Sequence, residues 1–255
     1  MDAPLSPLWR ATALAGLASG ALLAAAWLDL LPGGWSLRSA FEDPAAAGRR
    51  ASALHVLERL REMHAEAPGA ARGALLFLGS STIERFPLAE CFPGKRVLQH
   101  GLADAPLELL ERTLDCTLPS GAPEGVLLYA GSLDLREPRE PFEKALERLP
   151  RIVQALRVRT HAPALPITLL GILPARGEDA AALERLAKAN EALRVLAREQ
   201  KLGFVPTARP PLAAADGTLA PEFSADGRHL NAEGYRILAR WIVEEGGEAG
   251  RKLAP

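Results

Sequence analysis

Several things are scarce in this 255-residue chain. It has two cysteines, Cys91 and Cys116, and five scattered histidines, with no Cys-x-x-Cys or His-x-x-x-His pair among them. Nothing therefore reads as a metal site, since zinc-type centres need such ligands at close, regular spacing. Runs of one charge are also missing, and the formal net charge is −1. That argues against nucleic acid as a partner, because phosphate binding needs clustered Lys and Arg. No internal repeat is visible. What remains is a globular composition, 48% hydrophobic and 24% charged, of a length that suits one ordinary domain plus extras.

The amino terminus stands apart. Residues 11–28, "ATALAGLASGALLAAAWL", carry no charge, with Arg10 before them and Asp29 after. The run is roughly the shortest that crosses a bilayer as a helix. Trp9 and Trp27 lie near its ends, where interfacial aromatics are favoured. Ala24-Ala25-Ala26 supplies the small residues of a signal-peptide cleavage site. The expectation is a segment 1–31 that serves as a membrane anchor or a cleaved signal, a buried core helix being the weaker alternative. Either form puts the rest of the chain outside the cytoplasm, as a single-pass membrane protein or a secreted or periplasmic one. In an oxidising compartment Cys91 and Cys116 can pair, or both can remain small buried hydrophobes.

Residues 32–71 read as a linker followed by an amphipathic helix, with Ala53, Val56, Leu57, Leu60 and Met63 on one stripe. From residue 72 to 246 short apolar runs alternate with helical stretches. The runs are 74–78, 96–100, 126–130, 167–171 and 203–206. Helical periodicity covers 140–157, where Pro150 predicts a kink or break, and 179–200. A last helix opens at Asn231, a favourable N-cap, and residues 247–255 read as a tail. Continuous apolar strands separated by helices mean an α/β, three-layer sandwich with a roughly five-stranded parallel sheet. Chemistry in such sheets gathers at the carboxyl ends of the strands.

Three segments fall there: Gly79-Ser80-Ser81-Thr82, "YAGSLDL" (129–135) and "SADGRHLNAEGY" (224–235). A serine hydroxyl becomes a nucleophile when a base accepts its proton, and that base is normally a histidine oriented by a carboxylate. Asp226 and His229, three residues apart in a turn before a helix, suit the second and third roles. Ser81, where the first strand meets the first helix, suits the nucleophile, with its own N–H aimed at developing negative charge. Serine near a turn and aspartate capping its own loop are the ordinary alternatives.

Quoted in full, these segments resemble the SGNH (GDSL-type) hydrolase superfamily, and in particular its bacterial GSS branch, over roughly residues 72–245. "FLGSSTIERF" is similar to block I and places the nucleophile at Ser81; "DGRHLNAEGY" is similar to block V and supplies Asp226 and His229. The resemblance implies a flavodoxin-like fold, hydrolysis of esters or thioesters or movement of acetyl groups on carbohydrate, and no metal or organic cofactor. Two positions depart from the family. Block III has Leu133 where relatives carry an oxyanion-donating Asn, while Asp134 is kept as a structural hydrogen-bonding residue. In block II, "LQHGLADAP" contains Gly101, but the oxyanion position falls on Asp104. Losing one such donor typically costs about 10²–10³ in turnover. Ser132 and His100 are positioned to compensate, with Ser80 also near substrate.

The expectation is a membrane-tethered serine esterase acting on a small ester or on acylated carbohydrate or lipid. The alternatives are an O-acetyltransferase or deacetylase on envelope polysaccharide, and a degenerate binding module that keeps the fold without the chemistry.

Overall fold

The computed structural model of the chain describes residues 44–66, 69–103, 105–136 and 141–255. The expected membrane segment and most of the linker lie outside them. Among the described residues no helix is long and apolar enough to cross a membrane. The chain divides into two compact units, Met1–Leu54 and His55–Pro255. Helix α1 (Pro44–His64) begins in the first and ends in the second.

In the second unit five strands, β1 (Leu75–Gly79), β2 (Val97–Gly101), β3 (Gly125–Tyr129), β4 (Ile167–Leu170) and β5 (Gly203–Val205), form one sheet in the order β2-β1-β3-β4-β5. Every pairing is parallel. This is the flavodoxin-like order, and its topological switch point lies between β1 and β3. β1, β3 and β4 are apolar at nearly every position because both faces are covered.

Strand alternation divides the core in two. Leu75 and Phe77 join the cluster under α8 (Ala232–Glu245) and α9 (Gly247–Arg251), with Tyr235, Leu238 and Ile242. Leu76 and Leu78 join the opposite cluster under α4 (Leu107–Thr117), α6 (Phe142–Arg159) and α7 (Ala180–Gln200). The side chains of Asp179 and Asn231 cap α7 and α8, accepting from the Ala182 and Gly234 N–H groups at 2.8 and 3.0 Å. Three short helices, α2 (Ser81–Glu84), α3 (Leu88–Cys91) and α5 (Ser132–Arg136), follow β1 and β3.

The structure differs from the sequence reading in four places. Helix α6 runs unbroken through Pro150, because Ala145 and Leu149 before it and Ile152, Val153 and Leu156 after it bury in the same cluster. Residues 247–255 are no tail: Ala249 and Leu253 are buried in the core. On α1, Val56 and Met63 are buried but Leu57 is exposed. Cys91 and Cys116 are free thiols. Cys91 packs against the α8 face, whereas Cys116 is exposed on α4, which covers the other face.

Candidate active site

β1 ends at Gly79, whose positive φ of 152° and crowded surroundings leave no room for a side chain: a Cβ there would lie 2.0 Å from the Tyr129 carbonyl oxygen. The chain passes Ser80 in extended geometry and turns at once into α2, whose first residue is Ser81. Gly101 at the end of β2 lets α2 approach closely, since a Cβ there would lie 2.1 Å from the Glu84 nitrogen. The Gln99 amide donates to the Ile83, Glu84 and Phe86 carbonyls at 2.8, 3.0 and 2.7 Å, closing the carboxyl end of α2. The serine therefore rides on a turn held firmly from beneath.

The loop before α8 brings in the other half. The Ser81 hydroxyl donates to His229 Nε2 at 2.9 Å, and His229 Nδ1–H donates to Asp226 Oδ2 at 2.7 Å. Asp226 Oδ1 accepts from the His229 and Arg228 backbone N–H groups at 2.8 and 2.9 Å. Burial opposes ionisation of Asp226, but the hydrogen bonds from His229 and Arg228 win and hold its carboxyl well below the usual range. Arg176 braces the loop from outside, donating from its backbone N–H to the Gly227 carbonyl at 2.8 Å and from its guanidinium to that of Ser224 at 2.8 Å. The Tyr235 hydroxyl donates to the Thr82 carbonyl at 2.8 Å, tying α8 to α2, and burial pushes its pKa up.

These groups open onto a cleft at the carboxyl ends of β1 and β3, lined by Ser80, Ser81, Arg85, Ala103, Ala105, Tyr129, Ser132, Leu133, Arg228 and His229 among others. The Ser80 and Ser132 hydroxyls stand 3.5 Å apart within it. His100 is not brought there. Alternation along β2 turns it to the opposite side from Gln99, where it is buried, with Nδ1 2.5 Å from the Thr117 carbonyl and Nε2 2.8 Å from Glu66. Asp104 lies outside the described residues. Asp134 is buried and accepts from the Leu107 N–H at 2.9 Å, securing the start of α4. The N–H of Ala103 is likewise engaged, donating to Glu84 Oε2 at 2.7 Å. Sequence reasoning missed Arg85, Arg228 and Tyr129 in the cleft and Gln99 and Arg176 as braces. Only the positions of Arg85, one turn after Ser81, and Arg228, beside His229, offered any hint.

Comparisons with known proteins agree with this architecture. No curated protein matches the chain. Among solved structures, a Streptococcus pneumonia protein described provisionally as a platelet activating factor is 26% identical, with a TM-score of 0.68 over 80% of this chain and 99% of its own. A GDSL-like lipase from Bacteroides thetaiotaomicron shares 18% identity and a TM-score of 0.60 over 74% and 95% of the two chains. An acetylxylan esterase from Geobacillus stearothermophilus shares 20% and 0.53 over 71% and 96%. The last two likenesses speak for the fold alone. The model of the GDSL-like Lipase/Acylhydrolase family matches residues 77–237, more than half of the chain and the whole span from β1 into α8. The chain thus belongs to the GDSL-like lipase/acylhydrolase family within the SGNH superfamily, and is an ester-hydrolysing serine hydrolase.

Proposed function

We propose that the chain is an exported, membrane-tethered esterase that works through Ser81, His229 and Asp226 and an acyl-enzyme. One observation carries the reading: His229 Nε2 lies 2.9 Å from the Ser81 hydroxyl while its Nδ1 lies 2.7 Å from Asp226. Ser81 Oγ attacks the acyl carbonyl as His229 Nε2 takes its proton. Asp226 keeps the ring in the tautomer with Nε2 free and stabilises the imidazolium. His229 then returns the proton to the departing alcohol. Water, deprotonated by His229, attacks the acyl-Ser81 ester and releases the acid. Nothing in this sequence needs a cofactor.

The oxyanion has fewer donors than usual for the family. The Ser81 N–H is the first of α2, a group that a helix leaves without an intrahelical partner. The Leu133 side chain in the cleft wall has nothing to donate, and the Ser132 hydroxyl beside it is a side-chain donor lining the same cleft. Ala103, Ala105, Tyr129 and Leu133 make walls that suit a short acyl group on a small alcohol or a saccharide. An acetyl ester of an envelope polysaccharide, hydrolysed or transferred, is the second reading. It draws on the same walls and on the uncharged segment 11–28.

The test is made on the full chain. It is expected in the membrane fraction, where it hydrolyses a short-chain nitrophenyl ester, and Ser81→Ala is expected to lower turnover by roughly 10³-fold or more. Equal, negligible rates in both proteins would sink the esterase reading and favour a specialised transferase or a binding module. Recovery of the uncleaved chain in the soluble fraction would sink the tether.

A further inference from the structure

The nucleophile and the Asp226–His229 pair come from segments far apart in the chain, and something must keep them in register as substrate enters and leaves. The Ser81–His229 hydrogen bond cannot do this alone, because it is the bond that the reaction breaks. Arg85 touches both halves. Its backbone N–H donates to the Ser81 carbonyl at 3.0 Å, and its guanidinium Nη1 donates to Asp226 Oδ2 at 3.2 Å. That oxygen is the one that orients the His229 ring.

We propose that Arg85 is a positioning residue that locks the Asp226–His229 loop to the turn carrying Ser81, an inference that rests on the catalytic roles assigned above. Asp226 differs from a sequestered triad carboxylate in that its side chain is 46% exposed. Its Oδ1 is held by groups of its own loop, the His229 and Arg228 N–H groups and, at 3.4 Å, the Ser224 hydroxyl. Those bonds fix the carboxylate relative to His229 but not relative to Ser81. Arg85 supplies the missing restraint on Oδ2. Among the described residues a further tie between the two regions, from Tyr235 to Thr82, lies beyond the loop, on α8.

An exposed ion pair of this kind adds little to stability, so its effect belongs in the rate. Small misplacement of a base costs up to about 10²-fold, and removing one of several restraints is expected to cost about tenfold. The experiment compares the full-length native protein with Arg85→Ala, Arg85→Lys, Asp226→Asn and the Arg85→Ala/Asp226→Asn pair. The readouts are hydrolysis of p-nitrophenyl acetate, the rate of fluorophosphonate labelling of the active serine, and thermal unfolding.

The expected result has three parts. Arg85→Ala lowers kcat and the labelling rate about tenfold, with KM within about twofold and an unchanged melting temperature. Arg85→Lys, which keeps a cation without the fork, falls between the two. In the Asp226→Asn background, removing Arg85 adds less than about twofold, because the group it acts through is already gone. A full additional loss in that background, or an effect confined to KM, would make Arg85 a substrate contact and overturn the proposal. So would unchanged rates in Arg85→Ala, or a loss that tracks a lower melting temperature. Labelling that persists in Ser81→Ala, or that is absent from the native protein, would instead remove the catalytic reading on which it stands.

Discussion

At the scale of single residues, Leu133 stands where the sequence reading expects an oxyanion donor and finds an aliphatic side chain. It lines the same cleft as Ser81 and His229, next to Ser132 at the start of α5. The neighbouring Asp134 cannot substitute, since it is buried and holds the Leu107 N–H. A carboxamide at position 133 would meet the developing oxyanion with a donor that Leu lacks. Leu133→Asn is therefore expected to raise kcat on a short ester by about tenfold or more, toward the 10²–10³ that one such donor is worth. Unchanged kcat, measured at saturating substrate, would mean that position 133 does not face the oxyanion or that another group already fills the role. That Ser81, His229 and Asp226 would be brought together was legible in the sequence, because the chemistry expected of them fixes residue type and spacing together. Arg85 was not, because its partner lies 141 residues away and an arginine one turn after a serine has no signature of its own.

At the scale of elements, apolar runs bounded by turn residues located all five strands to within a residue or so. Period-3.6 stripes located the long helices. Local pattern failed where tertiary packing decides. Pro150 removes one hydrogen bond from α6, but buried residues on both sides of it keep the two halves on one line. The short helix α2 is likewise a product of its surroundings. Four residues cannot sustain a helix alone. It persists because Gln99 caps its carbonyls, Tyr235 grips Thr82, and Gly101 lets its backbone lie directly on the end of β2. Gly101→Ala would place a methyl group against the backbone of Glu84, which cannot swing aside. The expected outcome is a loss of about 1–3 kcal/mol in unfolding free energy together with reduced activity, as α2 shifts and Ser81 with it. Denaturant unfolding checks the first and ester turnover the second. A variant of native stability and turnover would show that α2 is free to move.

At the scale of the whole molecule, the useful boundary is not where the sequence placed it. A hydrolase-like domain opening at residue 72 leaves out the end of α1, yet residues 55–66 belong to the same compact unit as the sheet. Met63 is buried against Leu102 and Ala105, with Leu60 packed beside it, so this turn of helix covers the loop that forms one wall of the cleft. Polar contacts run the same way. His55 pairs with Glu84 at 2.6 Å, the Arg59 guanidinium donates to the Gln99 carbonyl at 3.1 Å, and Glu66 meets buried His100 at 2.8 Å. Glu84 in turn holds the Ala103 N–H, so the contact reaches from α1 to the cleft wall through α2, the helix that carries Ser81. A fragment starting at residue 44 should therefore outperform one starting at 72. Uncovering Leu102 and losing the Met63 side chain alone removes burial worth about 1.5–3 kcal/mol, and the buried His100 loses its carboxylate. The shorter fragment is expected to melt several degrees lower and to turn over short esters more slowly, with KM raised because Ala103 and Ala105 are no longer fixed. Equal melting temperatures and equal kinetics in the two fragments would reduce α1 to a spacer between the sheet and whatever precedes it.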